Sequence, residues 1–186
     1  MVSLETVASQ ARVMRVLGID PGLNLTGYGV IDCQGREAVL VEAGVIRLPP
    51  AHKDNLAERL EKLFESVREV IREFQPGMVC LEEVYSHADY PRTAILMGHA
   101  RGVICLAARL ARVHVVSLPA KRIKQAVTGN GNASKTQVQR AVQNFFSLSN
   151  IPHPPDVADA LAVALCYLNA ARFGQAGIGG RRETGG

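Results

Sequence analysis

The chain reads as an α/β layer structure built on a mixed sheet. Short apolar runs at 13 to 19, 26 to 33, 38 to 47, 78 to 82 and 113 to 118 have the length and residue types of strands. The first three follow one another closely, with turn residues between them, and so form a meander. The last two alternate with segments of helical spacing, which is the pattern of helices layered on a sheet.

The elements follow in order. VMRVLGIDPG, 13 to 22, is an apolar strand that runs straight into the turn Asp20-Pro21-Gly22, and Gln34-Gly35 supplies the second turn of the meander. Leu56, Leu60, Leu63, Phe64, Val67, Val70, Ile71 and Phe74 then recur at helical spacing and mark a core-facing helix. Gln75-Pro76-Gly77 ends it and opens the strand of GMVCLEEVY. A helix near 93 to 111 and a strand at 113 to 118 follow. Helices at 120 to 128, 134 to 147 and 156 to 172 complete the set.

At 186 residues, without an internal linker or repeat, the chain fits one domain over 13 to 173. Residues 1 to 12 read as an N-terminal extension without the apolar stretch of a signal peptide. The glycine-rich tail at 174 to 186, with Arg181 and Arg182, reads as disordered. No run reaches the roughly 18 uncharged apolar residues of a membrane span, so a soluble, cytoplasmic protein is expected. Cys33, Cys80, Cys105 and Cys166 are isolated and read as small apolar residues in a reducing compartment. His153, three residues before Asp156, is given a loop role.

Four carboxylates stand where a charge is costly. Asp20 closes a buried strand, and an ionised group there costs free energy unless it is paired or holds a cation. Glu82 and Glu83 end the strand of GMVCLEEVY; period-two alternation points them to opposite sides, so one of the two can join Asp20. Asp156 and Asp159 open the last helix at a spacing of three, which places both on one face. Taken singly, each has a plainer assignment as turn or helix-start chemistry. Together they form an oxygen donor set suited to hard divalent cations, and two such ions suit in-line phosphoryl displacement in a nucleic-acid backbone.

Charge fits that substrate. The chain carries 21 Lys and Arg against 17 Asp and Glu, a formal charge of +4 and a pI near 9.0. PAKRIKQAVTGNGNASKTQVQRAV concentrates Lys121, Arg122, Lys124, Lys135 and Arg140 around a flexible turn at 129 to 132. Ser134 is the expected N-cap of the helix that follows, whose start would offer amides to a phosphate. Such an arrangement favours backbone contact over base reading.

LGIDPGLNLTGYGV, LEEVY, GHARGVI, IKQAVTGNGNASKTQVQ and DVADALAVAL, in this order and spacing, resemble the RuvC family of bacterial Holliday junction resolvases over residues 13 to 172. The resemblance implies a ribonuclease H-like fold, with a five-stranded mixed sheet and helices on both faces. It implies Asp20, Glu82, Asp156 and Asp159 as catalytic, metal-binding acids, and so chooses Glu82 over Glu83. It further implies two Mg2+ per subunit, with Mn2+ as a substitute, and hydrolysis leaving a 5' phosphate and a 3' hydroxyl. Tyr85 takes the place of an aromatic that stacks on a base near the junction centre, and Lys124 and Lys135 take those of phosphate-contacting lysines. A homodimer on four-way junction DNA is implied, with the RuvA and RuvB branch-migration motor as partner. The helix at 93 to 111, through Gly98, Gly102 and Val103, is the dimer candidate. The loop SHADYPRTAIL departs from the family by lacking its Phe-x-x-Asn continuation and carrying one residue more.

Three other readings define what must be distinguished. GIDPG before a hairpin is reminiscent of the phosphate loop of sugar kinases and actin-like ATPases, but those need two lobes and a far longer chain. A non-enzymatic junction-binding module is disfavoured by the intact acid set. A ribonuclease H-like nuclease acting on RNA is the nearest alternative.

Overall fold

The computed structural model describes residues 13–34, 37–50, 55–83 and 91–172. The expected extension 1–12, Gly35, Tyr85 and the tail 174–186 lie outside these residues. Ten elements follow in order: β1 (Met14–Asp20), β2 (Leu25–Gln34), β3 (Glu37–Arg47), α1 (Leu56–Phe74), β4 (Met78–Glu82), α2 (Pro91–Leu110), β5 (His114–Leu118), α3 (Ala120–Thr128), α4 (Lys135–Phe145) and α5 (Pro155–Arg172). Each expected element is present, with bounds shifted by at most two residues.

The strands lie in the order β3-β2-β1-β4-β5. β1, β2 and β3 pair antiparallel as a meander, and β4 and β5 join parallel, so the sheet is mixed. Its alternation feeds two cores. Leu17, Ile19, Val30, Val79 and Leu81 pack against Leu63, Val67 and Ile71 of α1 and Ala100, Ile104 and Ala107 of α2. Val16, Ile31, Cys33 and Cys80 pack on the other face against α3, α4 and α5. α5 is the innermost helix, with buried residues unbroken from Ala160 to Leu168.

The stripe of α1 is as expected except at its start, where Leu56 is exposed and Arg59 is buried instead. Asn55 caps the helix through a reciprocal bond with Glu58, which satisfies two free amides. Cys33, Cys80 and Cys166 are buried and Cys105 is half-buried.

α2 departs from expectation. Arg92–Leu110 is long and apolar enough by composition to cross a membrane, yet only 22% of that window is buried. One flank packs on α1, and Arg101 at its middle bonds to the sheet by donating to the Glu82 carbonyl and to Ser117 Oγ. Ile95, Leu106 and Leu110 remain exposed. Val103 turns inward to the α1 side, whereas Gly98 and Gly102 meet no packing partner among the described residues.

The seating of α5 depends on absent side chains. Gly18 of β1 pairs with Gly29 of β2, and a Cβ at Gly18 would run into the Ala160 carbonyl and lie 2.8 Å from the Ala164 amide nitrogen. Neither backbone group can move without lifting the helix. Gly18→Ala should therefore destabilise the fold by about 1–3 kcal/mol, the usual range for overpacking. Urea unfolding measures it, and an unchanged midpoint would show that α5 is not closely seated.

Candidate metal and nucleic-acid site

Asp20 and Glu82 close two parallel neighbours, β1 and β4, at the centre of the sheet. Along β1, Leu17 and Ile19 face α1 and α2, so Val16, Gly18 and then Asp20 face α5. Along β4, Val79 and Leu81 alternate in the same way with Cys80, which puts Glu82 on the side of Asp20. With α5 on that face, the alternation turns Glu82, and not Glu83, toward Asp20. The Glu83 amide donates to the Leu118 carbonyl, continuing the pairing with β5.

α5 supplies the other two acids. Gly27 stands opposite Asp20 on β2, and a Cβ there would strike the Asp156 carbonyl, so the first turn of α5 lies directly on the strand end. Asp156 and Asp159 thereby face Asp20 and Glu82. All four line one open cleft of about 570 Å³. Pro21, Gly22, Leu23, Asn24 and Leu25 form one wall, and Thr93, Leu96 and Met97 of α2 contribute to another.

The electrostatics record this crowding. Burial raises the Asp20 carboxyl first, Asp159, Glu82 and Asp156 raise it further, and Lys135 opposes them; it comes to about 7. Glu82 is raised by burial and by Asp159, against Lys124 and Lys135. Asp159 is raised by burial and by Asp156, against Lys135 and Lys124. A set of carboxylates that oppose one another's ionisation is one that a cation would relieve.

The donors are all oxygens, which suits a hard divalent ion. Among the described residues, no three His, Cys, Asp or Glu side chains are gathered into a finished ligand cage. Instead Lys135 Nζ stands 3.7 Å from Asp159 Oδ2 and supplies part of the missing positive charge. The residues fit the ion by chemistry and by shared field.

The basic segment divides. Lys124 of α3 and Lys135 of α4 line the cleft. Lys121, Arg122 and Arg140 do not, and Arg122 acts instead on the Cys166 thiol farther along α5. The turn at 129 to 132, expected to be flexible, is pinned: Gln125 donates to the Gly129 carbonyl and accepts from Gly131 N, and Thr128 accepts from Asn130 N. Ser134 caps α4 by accepting from Gln137 N, while Gln137 returns an acceptor to Ser134 N. That takes up one of the amides expected to be open to a phosphate, and the Lys135 ammonium is what this helix start presents to the cleft. His153 is exposed and lines no part of it. Tyr85 lies outside the described residues.

Sequence reasoning missed the walls. Thr93, Leu96 and Met97 belong to a helix with no distinctive motif there. Arg101, which holds the end of β4, lies in the GHARGVI run, but sequence reasoning assigned it no role there.

Comparison with known proteins is consistent across sequence and structure. Residues 16–167 match the family model "Crossover junction endodeoxyribonuclease RuvC". The protein of that name from Rhodopirellula baltica is 50% identical over 151 residues, covering 81% of this chain and 84% of its own. A structure of Thermus thermophilus RuvC in complex with Holliday junction substrate superposes with a TM-score of 0.80 at 34% identity, covering 87% of this chain and 97% of that one. The yeast mitochondrial Holliday junction resolvase shares the fold alone, at 15% identity, a TM-score of 0.57, and coverage of 87% and 82%.

The raised Asp20 fixes a sign. In the unfolded chain the group ionises near 3.8, whereas the fold keeps it protonated up to about 7. Between those values the folded state binds more protons, so stability falls as pH rises. In chelator, the wild type should lose on the order of a few kcal/mol between pH 4 and 8, and Asp20→Asn should lose clearly less. Parallel urea-unfolding profiles for the two proteins would contradict the crowding.

Proposed function

The chain belongs to the RuvC family of crossover junction endodeoxyribonucleases, and we propose that its four-carboxylate cleft resolves four-way DNA junctions by paired, symmetric nicks in recombination and repair. Metal-dependent hydrolysis of DNA is the activity of the family. The observation that carries the assignment to this site is the meeting of Asp20, Glu82, Asp156 and Asp159 in one cleft beside Lys124 and Lys135.

In this reading the four acids hold two Mg2+ ions, with Mn2+ able to replace them. Divalent ions bound there supply the positive charge that the acids lack, activate water and stabilise the departing oxygen. The protein's own groups do the rest. Asp20, between the others, sets the depth at which a phosphate can sit. Lys124 and Lys135 draw the strand backbone to the rim and balance charge when the cleft is open. Lys121, Arg122 and Arg140 extend the basic surface away from the cleft. Tyr85 stacks on an opened base, a contact worth about 1–3 kcal/mol and tolerant of sequence.

A four-way junction has two-fold symmetry, which a homodimer can match so that both continuous strands are cut. The exposed face of α2, with Gly98 and Gly102 open for close approach and Ile95, Leu106 and Leu110 uncovered, is the proposed seam. RuvA and RuvB are the proposed branch-migration partners, and the cytoplasm, where the DNA lies, is the proposed compartment.

The test is cleavage of a synthetic mobile junction beside duplex, single-stranded and RNA/DNA hybrid substrates, with Mg2+, Mn2+ or chelator. Paired nicks confined to the junction and abolished by chelator are expected, with products ending in 5' phosphate and 3' hydroxyl; cutting of RNA or hybrid would reassign the substrate. Asp20→Asn should bind the junction as the wild type does and fail to cut. Lys124→Ala should weaken binding across sequences and flatten the salt dependence by about one unit of slope, measured by titration at several salt concentrations. The opposite assignment of effects between these two variants would overturn the roles given to them.

A further inference from the structure

Arg59 is an arginine at a core position. It follows the register of Leu63, Val67 and Ile71 on α1, yet is only 4% exposed, and among the described residues its Nε meets no acceptor. Its Nη2 donates to the Leu23 carbonyl at 2.7 Å and to Asn24 Oδ1 at 2.6 Å. These residues belong to the loop that follows Asp20 and line the same cleft. A buried guanidinium is therefore used to fix a turn of four residues beside the acids.

The bond to Asn24 carries information about the other end of its amide. A guanidinium only donates, so the atom facing Arg59 must be the carbonyl oxygen, and Asn24 Nδ2 points away. Asn24 is exposed on the cleft wall, and among the described residues nothing accepts from its Nδ2. Its backbone is held as well: the Asn24 carbonyl accepts from Leu48 N, and Thr26 Oγ1, fully buried, donates to the Gly22 carbonyl. The result is a rigid wall that presents two N–H donors next to four carboxylates. A neutral donor is suited to that position, because a carboxylate acceptor such as Glu would add to the repulsion and a lysine would pair with the acids.

We propose that Asn24 donates a hydrogen bond to a non-bridging oxygen of a DNA phosphate lying in the cleft, and that Arg59 is the positioning residue that aims it. The inference rests on the junction-cutting reading of the same site and adds a substrate contact to it. The contact fixes where the backbone lies relative to Asp20 without changing the charge of the wall.

The experiment compares wild type, Asn24→Asp, Asn24→Ala and Arg59→Met on a junction, under single-turnover conditions and by binding in chelator. Asn24→Ala loses the donors without adding a charge and should cut about 10- to 100-fold more slowly than the wild type, the usual reach of one charge-assisted hydrogen bond; Asn24→Asp keeps the acceptor for Arg59 but also adds a charge beside the acids, so it should cut no faster than Asn24→Ala. Single methylphosphonates placed in turn around the scissile position supply the second readout. One position should weaken wild-type binding and leave Asn24→Ala unaffected, and Arg59→Met, where folded, should lose part of that sensitivity. The salt slope of Asn24→Ala should equal that of the wild type, since the lost contact is neutral. Wild-type rates for both Asn24 variants, or methylphosphonate effects that simply add to the Asn24→Ala effect, would overturn the proposal. Failure of the wild type to cut any junction, with Asp20→Asn no different, would instead overturn the reading beneath it.

Discussion

The close seating of α5 on the sheet is the constraint on which the rest of the structure depends. Gly18, Gly27 and Gly29 leave a bare strip across β1 and β2, which the backbone of α5 and the Leu161 side chain fill. A helix kept at an ordinary distance by side chains would carry Asp156 and Asp159 away from Asp20 by several ångströms. The fold and the candidate site therefore share one cause: the packing that gives α5 its continuous burial also fixes how near its two acids come to the strand ends. The glycines weaken β1 and β2 as strands, and the burial of α5 against both offsets that loss.

The crowded acids run against stability. Desolvation and mutual repulsion push Asp20 up to about 7 and raise Glu82 and Asp159. Local arrangements that a fold would otherwise avoid are tolerated where function needs them. Lys135 answers only in part, because its ammonium is largely in solvent and stands 3.7 Å from Asp159. An exposed ammonium at that distance is a weak partner, and it leaves the cleft open. A buried, bidentate arginine in the same place would close the site. The contrast is Arg15 with Asp32, a two-point pair at 2.7 and 2.8 Å that also reaches the Phe74 carbonyl and ties β1 and β2 to the end of α1.

Strand and helix positions were legible in the sequence because apolar periodicity and turn residues mark them without help from the rest of the chain. The convergence of the acids was legible too, since strand-end and helix-start charges are out of place on local grounds. The choice between Glu82 and Glu83 was not a local matter: alternation says that they diverge, and only the side on which α5 lies says which one meets Asp20. The same limit explains α2. Its composition passes for a membrane span, and nothing local tells an apolar face left exposed on the protein surface from one turned to lipid. Of the five cations grouped by sequence, two line the cleft, because α3 and α4 are short and a pinned turn sets which of their faces look inward.

Arg59 shows what a sequence reading can overlook in a pattern it has read correctly. The stripe of α1 was visible, and so was a cation standing one turn before Leu63 in that stripe. An arginine in such a position ordinarily snorkels to solvent. Here it cannot, since the loop after Asp20 folds over it and takes its Nη2 in two hydrogen bonds. The core on the α1 side is therefore continuous with the cleft wall. α1 grips the loop after Asp20 through Arg59, and α2 grips the end of β4 through Arg101 at the Glu82 carbonyl. The helices of one face thus hold the backbone at both strand ends, while α5 on the other face brings the remaining acids. The cleft lies where these two sets of contacts meet, and its geometry requires both faces of the sheet to be packed.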